Sequence, residues 1–166
     1  MVLNDSAWLV FIEQMKRFCS LNRENMPADD RWNDEPDWDL FDSYGFVCLM
    51  MRRYDGAWRG YVCIPSGHPW REASHLDISV SCGGRGVDDS FEECGLKFVG
   101  FNFSDVTDYI PVDLMKMNNE KREYRDAEYV RRMLVTLSKQ ASFCPDRRLK
   151  WRMKDKSVKG VDFCET

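Results

Sequence analysis

The sequence predicts an α+β fold: an antiparallel-rich sheet of four to five strands with two helices packed on one face. Two stretches with apolar residues at helical spacing lie towards the two ends of the chain, and four strand-like runs lie between them. Asp55-Gly56 separates the first two runs, which is typical of a β-hairpin. With 166 residues, 43% of them hydrophobic, the chain is predicted to form a single domain, residues 1–166.

The two helices are predicted from apolar stripes that recur every three or four residues. The first extends from about Ser6 to Asn22, and the second from Tyr124 to Ala141, where Pro145 follows as a stop signal. We expect both stripes to be buried against the sheet. The stripe residues are Trp8, Phe11, Ile12 and Met15 in the first helix and Val130, Met133, Leu134 and Leu137 in the second.

The predicted hairpin joins residues 45–54 to residues 57–64. We expect a type I′ turn between them, with positive φ at both Asp55 and Gly56, because these two residue types accept that conformation. The loop that follows, Pro65-Ser66-Gly67-His68-Pro69, ends the second strand.

Two further strands are predicted beyond the hairpin. Residues 75–81 alternate apolar and polar side chains, which indicates a half-buried strand. Residues 96–103 are apolar on both faces, which favours a central strand. We interpret residues 88–94, between them, as an acidic connection.

The net charge of −4 conceals one acidic and one basic segment. We predict an acidic loop at about residues 27–43, which is solvated, or imitates a nucleic-acid backbone, or meets a basic partner. Residues 147–154 alternate basic and apolar side chains and predict a basic C-terminal strand at a sheet edge. That strand either keeps its charges in water or contacts nucleic acid. The nucleic-acid candidates are Arg148, Lys150, Trp151, Arg152 and Lys154.

The cysteine and apolar patterns limit the cellular setting. The chain has seven cysteines, an odd number, and no Cys-x-x-Cys pair, which favours reduced thiols. It has neither a secretory n-region nor a run of about 18 apolar residues. We therefore expect a cytoplasmic protein without a membrane partner. Metal-ligand spacings and cofactor fingerprints are also absent, so we expect no metal and no cofactor.

The candidate binding site is the glycine-rich turn that begins at Cys82. Glycine lets the backbone approach a ligand closely, and a positive charge at Arg85 would favour a small anionic ligand. We expect this turn to share a concavity with other candidate residues. The ligand-binding candidates are Cys82, Gly83, Gly84, Arg85, His68, Asn102 and Asp108.

Two other interpretations of this turn stay open. In the first, it is a tight turn beside a buried, inert thiol. In the second, Cys82 is a nucleophile, with His68 as its base and Asp108 nearby; these three are weak catalytic candidates.

Four motifs give the chain a resemblance to a known family. They lie at residues 60–69, 77–84, 100–111 and 124–130. In these motifs the chain resembles a family of small, mostly uncharacterised bacteriophage proteins, whose motifs read approximately GYVxxPxGHP, HGGLTY, GFDxxHxGD and YRDxEYV. The resemblance covers most of the chain and implies a phage or prophage origin and a host-cell cytoplasmic setting.

The chain departs from the family pattern at three positions. Cys82 stands where the family has the His of HGG, Asn102 stands where it has the Asp of GFD, and Asp105 stands at about the next His. His68, the Gly83-Gly84 pair and Asp108 match the motifs. An acid–base or metal constellation of the family would therefore be altered here.

Three classes of function follow from these observations. The leading one is a phage-derived accessory binding protein that antagonises a host defence system, either by binding a host protein or by sequestering a nucleotide-like ligand. The second is a small hydrolase or transferase with a Cys/His/Asp site. The third is a nucleic-acid-binding module that uses the basic C-terminal strand.

Overall fold

A five-stranded antiparallel sheet forms the centre of the fold. Its strands stand in the order β1-β2-β3-β7-β6, and a separate two-stranded hairpin consists of β4 and β5. The strands are β1 (Trp38–Ser43), β2 (Phe46–Arg52), β3 (Trp58–Ile64), β4 (Ser81–Cys82), β5 (Arg85–Gly86), β6 (Asp89–Glu93) and β7 (Leu96–Asn102). The computed structural model describes residues 9–15, 32, 34–74, 78, 81–105, 107–111 and 122–144.

The helices complete the α+β class. Residues 9–15 are helical and are called α1 here, and α2 spans Ala127–Ser142. A short 3-10 turn, Pro69–Arg71, follows β3. The predicted α+β class and the antiparallel sheet are confirmed, and α2 packs against the sheet.

The two helices lie on opposite faces of the sheet, which differs from the expectation that they share one. Val62 and Leu134 belong to the core between the sheet and α2. Phe11 of α1 stacks on Phe98 in the other core, with ring centroids 4.9 Å apart. The central strands are apolar on both faces, so each face requires a covering element.

The predicted hairpin is confirmed as β2 and β3, but its turn is not type I′. Gly56 N donates to Arg53 O at 2.9 Å, and only Gly56 has positive φ, +82°. Asp55 instead accepts the amide of Ala57 through Oδ1 at 3.1 Å. This short-range bond holds Asp55 in an ordinary conformation, and the connection is longer than two residues.

Among the described residues, three other turns have positive φ at both of their residues, as a type I′ turn requires. Tyr44-Gly45 links β1 to β2, Gly83-Gly84 links β4 to β5, and Cys94-Gly95 links β6 to β7. Their φ values lie between 49° and 84°. Each therefore closes a tight hairpin.

These turns correct two predicted loops. Part of the acidic loop predicted at residues 27–43 is strand β1, and most of the acidic connection predicted at residues 88–94 is strand β6. The acidic side chains find cationic neighbours there: Glu92 lies opposite Lys97, and Asp39 pairs with Arg131 of α2. Strand pairing therefore tolerates the charges that suggested a loop.

A buried polar cluster fixes the start of α2. Glu35 accepts the amide of Ala127 through Oε1 at 3.0 Å, and its Oε2 accepts bonds from Arg52 and from the Tyr124 hydroxyl. Arg52 is fully buried and lies over the Trp58 ring at 4.2 Å. The segment before β1 is thereby joined to β2 and to α2.

Some predictions fall outside the described residues. These include the basic strand at residues 147–154 with its nucleic-acid candidates, most of the strand predicted at 75–81, Pro145, and the first helix beyond residues 9–15. Among the described helices, none is both long enough and apolar enough to cross a membrane.

Candidate functional site

The hairpin of β4 and β5 forms one wall of an open cleft of about 550 Å³. Cys82 pairs with Arg85 across the hairpin, and the two glycines at its tip leave the backbone uncovered. The opposite wall comes from the start of α2 and the residues before it. The cleft is lined in part by Gly83, Gly84, Asp88, Asp105, Arg125 and Tyr129.

Arg85 connects the hairpin to the rest of the cleft. Its Nη1 donates to the Asn102 carbonyl at 2.8 Å, and its Nη2 donates to Asp108 Oδ2 at 2.6 Å. Asp105 lies 3.2 Å and Asp88 3.6 Å from the same guanidinium. The structure therefore brings together five of the predicted site residues, because Arg85, Asn102 and Asp108 are in contact and Gly83 and Gly84 line the same cleft.

Asp108 is the buried anchor of this cluster, with a side chain only 1% exposed. Besides Arg85, it accepts from Arg125 Nε at 3.2 Å and from the Asp105 amide at 3.1 Å. Two guanidiniums and one amide therefore share a single carboxylate. Charge-assisted bonds of this kind hold the cleft residues in place.

Carboxylates outnumber arginines in the described ion-pair cluster beside the cleft. Arg85 and Arg125 face four carboxylates, those of Asp88, Asp105, Asp108 and Glu123. Burial raises the pKa of the Asp88 carboxyl, and the neighbouring carboxylates of Asp105 and Asp89 act in the same direction. Asp105 is 61% exposed, so its oxygens are accessible from solvent.

Cys82 belongs to the core beneath α2 and is 0% exposed. Gln140 Nε2 donates to its sulfur at 3.6 Å. Burial raises the pKa of the Cys82 thiol to about 11, so the thiol is protonated at neutral pH. A protonated, enclosed thiol is a poor nucleophile.

His68 is also used structurally. Its Nδ1 accepts the amide of Trp70 at 3.1 Å, which caps the 3-10 turn. Its Nε2 therefore carries the hydrogen and donates to the Ala141 carbonyl, 3.1 Å away, near the end of α2. With both ring nitrogens engaged, His68 is not placed to act as a base for Cys82.

Asn102 contributes to the cleft through its backbone. Its carbonyl accepts from Arg85, and its amide donates to Asp88 Oδ1 at 2.7 Å. Its side-chain oxygen accepts from Arg53 at 3.2 Å. The side chain is therefore committed to the neighbouring hairpin.

Sequence reasoning missed several cleft residues, among them Arg125 and Tyr129. Both lie in the motif at residues 124–130, so the resemblance marked the segment without assigning it to the site. Arg125 lies 4.7 Å above the Tyr129 ring. Tyr129 in turn contacts Phe103, with centroids 5.9 Å apart.

The role of the cleft is inferred from its geometry. No protein-family model, curated protein or solved structure matches the chain. Within the described residues, no group of three or more His, Cys, Asp or Glu side chains is arranged to hold a metal ion.

Proposed function

We propose that this protein is a phage-derived binding protein that antagonises a host defence by binding a host protein, and that the cleft receives a cationic side chain of that protein. The observation that carries this proposal is the enclosure of Arg85 by Asp88, Asp105 and Asp108. The phage origin and the host setting rest on the resemblance of the four motifs.

The charges favour a cationic group over an anionic one. A phosphate would have to replace Asp105 or Asp108 on Arg85 while approaching Asp88, and each carboxylate would repel it. A lysine or arginine side chain would instead meet the accessible oxygens of Asp88 and Asp105. It would also relieve the repulsion that contributes to the raised pKa of Asp88.

The residues suggested for catalysis support binding better than chemistry. The Cys82 thiol is buried and protonated, and the His68 ring is used to hold two backbone groups. Asp108 is enclosed by two arginines. A hydrolase or transferase that uses these three residues together would need each of them to be freed from the contacts that hold it.

The test is a titration of the protein with an acetylated hexa-arginine peptide, in which calorimetry measures the affinity. The double variant Asp88→Asn/Asp105→Asn should bind at least about tenfold more weakly than the native chain, a loss of about 1.4 kcal/mol. The matched control is Glu72→Gln/Glu128→Gln, which removes two exposed carboxylates elsewhere and should change the affinity far less.

Two outcomes would contradict the proposal. One is equal weakening in both double variants, because the peptide would then respond to net charge alone. The other comes from a thermal-shift series with nucleotides. If adenine nucleotides raise the melting temperature and hexa-arginine does not, the cleft binds an anionic ligand through Arg85.

A further inference from the structure

We propose that the outer edge of β1 is a second interaction surface, which takes an extended basic segment of a partner protein as an additional strand. This surface is separate from the cleft, and the inference does not depend on what the cleft binds. It rests on three properties of β1: its open backbone, its charge and the side chains beside it.

The backbone of β1 is open on one side. Among the described strands, β1 stands at the end of the sheet and pairs only with β2. The two-residue turn after Ser43 directs the amides and carbonyls of Asp39, Phe41 and Ser43 towards β2. Those of Trp38, Leu40 and Asp42 point outward, and within the described part of the chain they have no backbone partner.

The charge of this edge is acidic. The sequence from Trp32 to Met51 contains no lysine or arginine. The acids near the edge are Asp34, Asp37, Asp39 and Asp42. Among the described residues, Arg131 of α2 pairs with Asp39, and the buried Arg52 pairs with Glu35 just before the strand. The edge therefore favours a basic strand over a neutral or acidic one.

Charge also decides between possible occupants. A second copy of the chain would bring its own acidic β1 against this one, and like charges across a strand pair are destabilising. Lysine, the residue that proteins often place on an exposed edge to prevent pairing, is absent from β1. A basic partner segment meets no like-charge repulsion at this edge, and no lysine of β1 opposes its pairing.

The side chains beside the edge provide apolar contact. Trp38 and Leu40 are half-buried on the α1 face, and Phe41 is half-buried beneath Arg131 on the α2 face. An added strand places alternate side chains on the two faces of the sheet. The fitting partner is therefore an extended segment in which basic and apolar residues alternate.

The test uses a six-residue peptide that alternates lysine and valine, with a control peptide N-methylated at every backbone amide. Both carry the same charge, but the methylated one cannot form a strand ladder. We expect the control to bind the full chain at least about tenfold more weakly. Hydrogen exchange at the Leu40 and Asp42 amides should slow when the unmodified peptide binds.

A variant in the full chain provides the matched protein control. Leu40→Pro removes an outward amide without removing a bond to β2, so it should abolish the protection of Asp42 while the fold is retained. If Leu40→Pro does not fold, Asp34→Lys/Asp42→Lys takes its place as the test variant. It should weaken binding of the peptide several-fold.

Three results would overturn the inference. Equal affinity for both peptides would mean attraction by charge alone. Protection of the Leu40 and Asp42 amides that grows with protein concentration, without peptide, would identify a second copy as the occupant. Binding that occurs only in Arg148→Glu/Arg152→Glu would mean that the chain's own basic residues occupy the edge.

Discussion

At the scale of single residues, Arg85 joins three parts of the chain that are distant in sequence. It lies on the glycine hairpin, bonds to the end of β7 at Asn102, and shares Asp108 with Arg125 before α2. Its guanidinium also lies 4.9 Å above the Phe103 ring. The shape of the cleft therefore depends on this one cluster.

Asp108→Asn should destabilise the protein by roughly 3–5 kcal/mol, because it leaves two guanidiniums without their shared charge. Urea unfolding measures this difference. The control is Asp105→Asn, whose carboxylate also contacts Arg85 but is 61% exposed, and which should cost less than about 1 kcal/mol. Similar losses in the two variants would contradict the anchoring role of Asp108.

Asp88→Asn should make the folded protein more stable at pH 7. Burial raises the pKa of Asp88, so the folded state holds this proton more tightly than the unfolded chain does. Stability therefore falls as the pH rises through the folded pKa. The asparagine removes this loss and keeps an acceptor for the Asn102 amide.

Urea unfolding at several pH values checks this sign. The advantage of Asp88→Asn should shrink as the pH falls through the raised folded pKa of Asp88 towards its unfolded value. A stability difference that stays constant between pH 4 and pH 7 would contradict it.

At the scale of elements, the β3–β7 pair requires a glycine. A Cβ on Gly100 would lie 1.9 Å from the Gly60 carbonyl oxygen, which belongs to the backbone of the neighbouring strand. A Cβ on Gly60 would lie 3.0 Å from Val130 Cγ1 and 3.1 Å from Leu134 Cδ2, which are side-chain atoms of α2. The contact at Gly100 would force the strands apart. The contacts at Gly60 would require only an adjustment of side chains in α2.

Gly100→Ala should therefore be far more damaging than Gly60→Ala. We expect Gly60→Ala to cost about 1–3 kcal/mol, as is typical for overpacking. Gly100→Ala should cost more and should lower the yield of folded protein. Denaturant melts of the two variants measure the difference, and an equal loss would show that the strands can separate locally.

The sequence predicted the central strands well and the outer strands poorly. The apolar runs of β2, β3 and β7 indicate their burial directly. β1 and β6 were assigned to loops because acidic residues are frequent in them and because Tyr44-Gly45 and Cys94-Gly95 are not typical turn signals. Cross-strand partners, which a single sequence does not reveal, decided their structure.

The candidate site was predicted in part. Glycines and charged residues at strand ends indicated that Arg85, Asn102 and Asp108 converge, and they do. Cys82 and His68 were grouped with them because cysteine and histidine are reactive residue types. Their burial beneath α2 depends on packing between distant segments, which composition and spacing do not show.

At the scale of the whole molecule, the two cores enclose thiols on both faces of the sheet. Cys48 and Cys82 lie in the core beneath α2, and Cys63 lies in the core beneath α1. Burial raises the pKa of Cys48 to about 12 and that of Cys63 and Cys82 to about 11. The described cysteines are all free thiols.

Native-state labelling with iodoacetamide at neutral pH should therefore divide the described cysteines into two groups. Cys94 and Cys144, which are partly exposed, should react first, and the three core thiols should react only on unfolding. Peptide mapping identifies each site. The melting temperature should be the same with and without a reductant, and early labelling of Cys63 would contradict the enclosure by α1.

The order of strands in the sheet bears on what happens if the chain is cut. Strands β1 to β3 precede residue 74, and strands β4 to β7 and α2 follow it, so the β3–β7 pair is a seam between two chain halves. α2 of the second half also covers β3 of the first. A protein nicked after Ser74 should hold together, and fragments 1–74 and 75–166, made separately, should reassemble into one folded body. Fragments that separate during co-purification would show that continuity of the chain, and not the seam, maintains the fold.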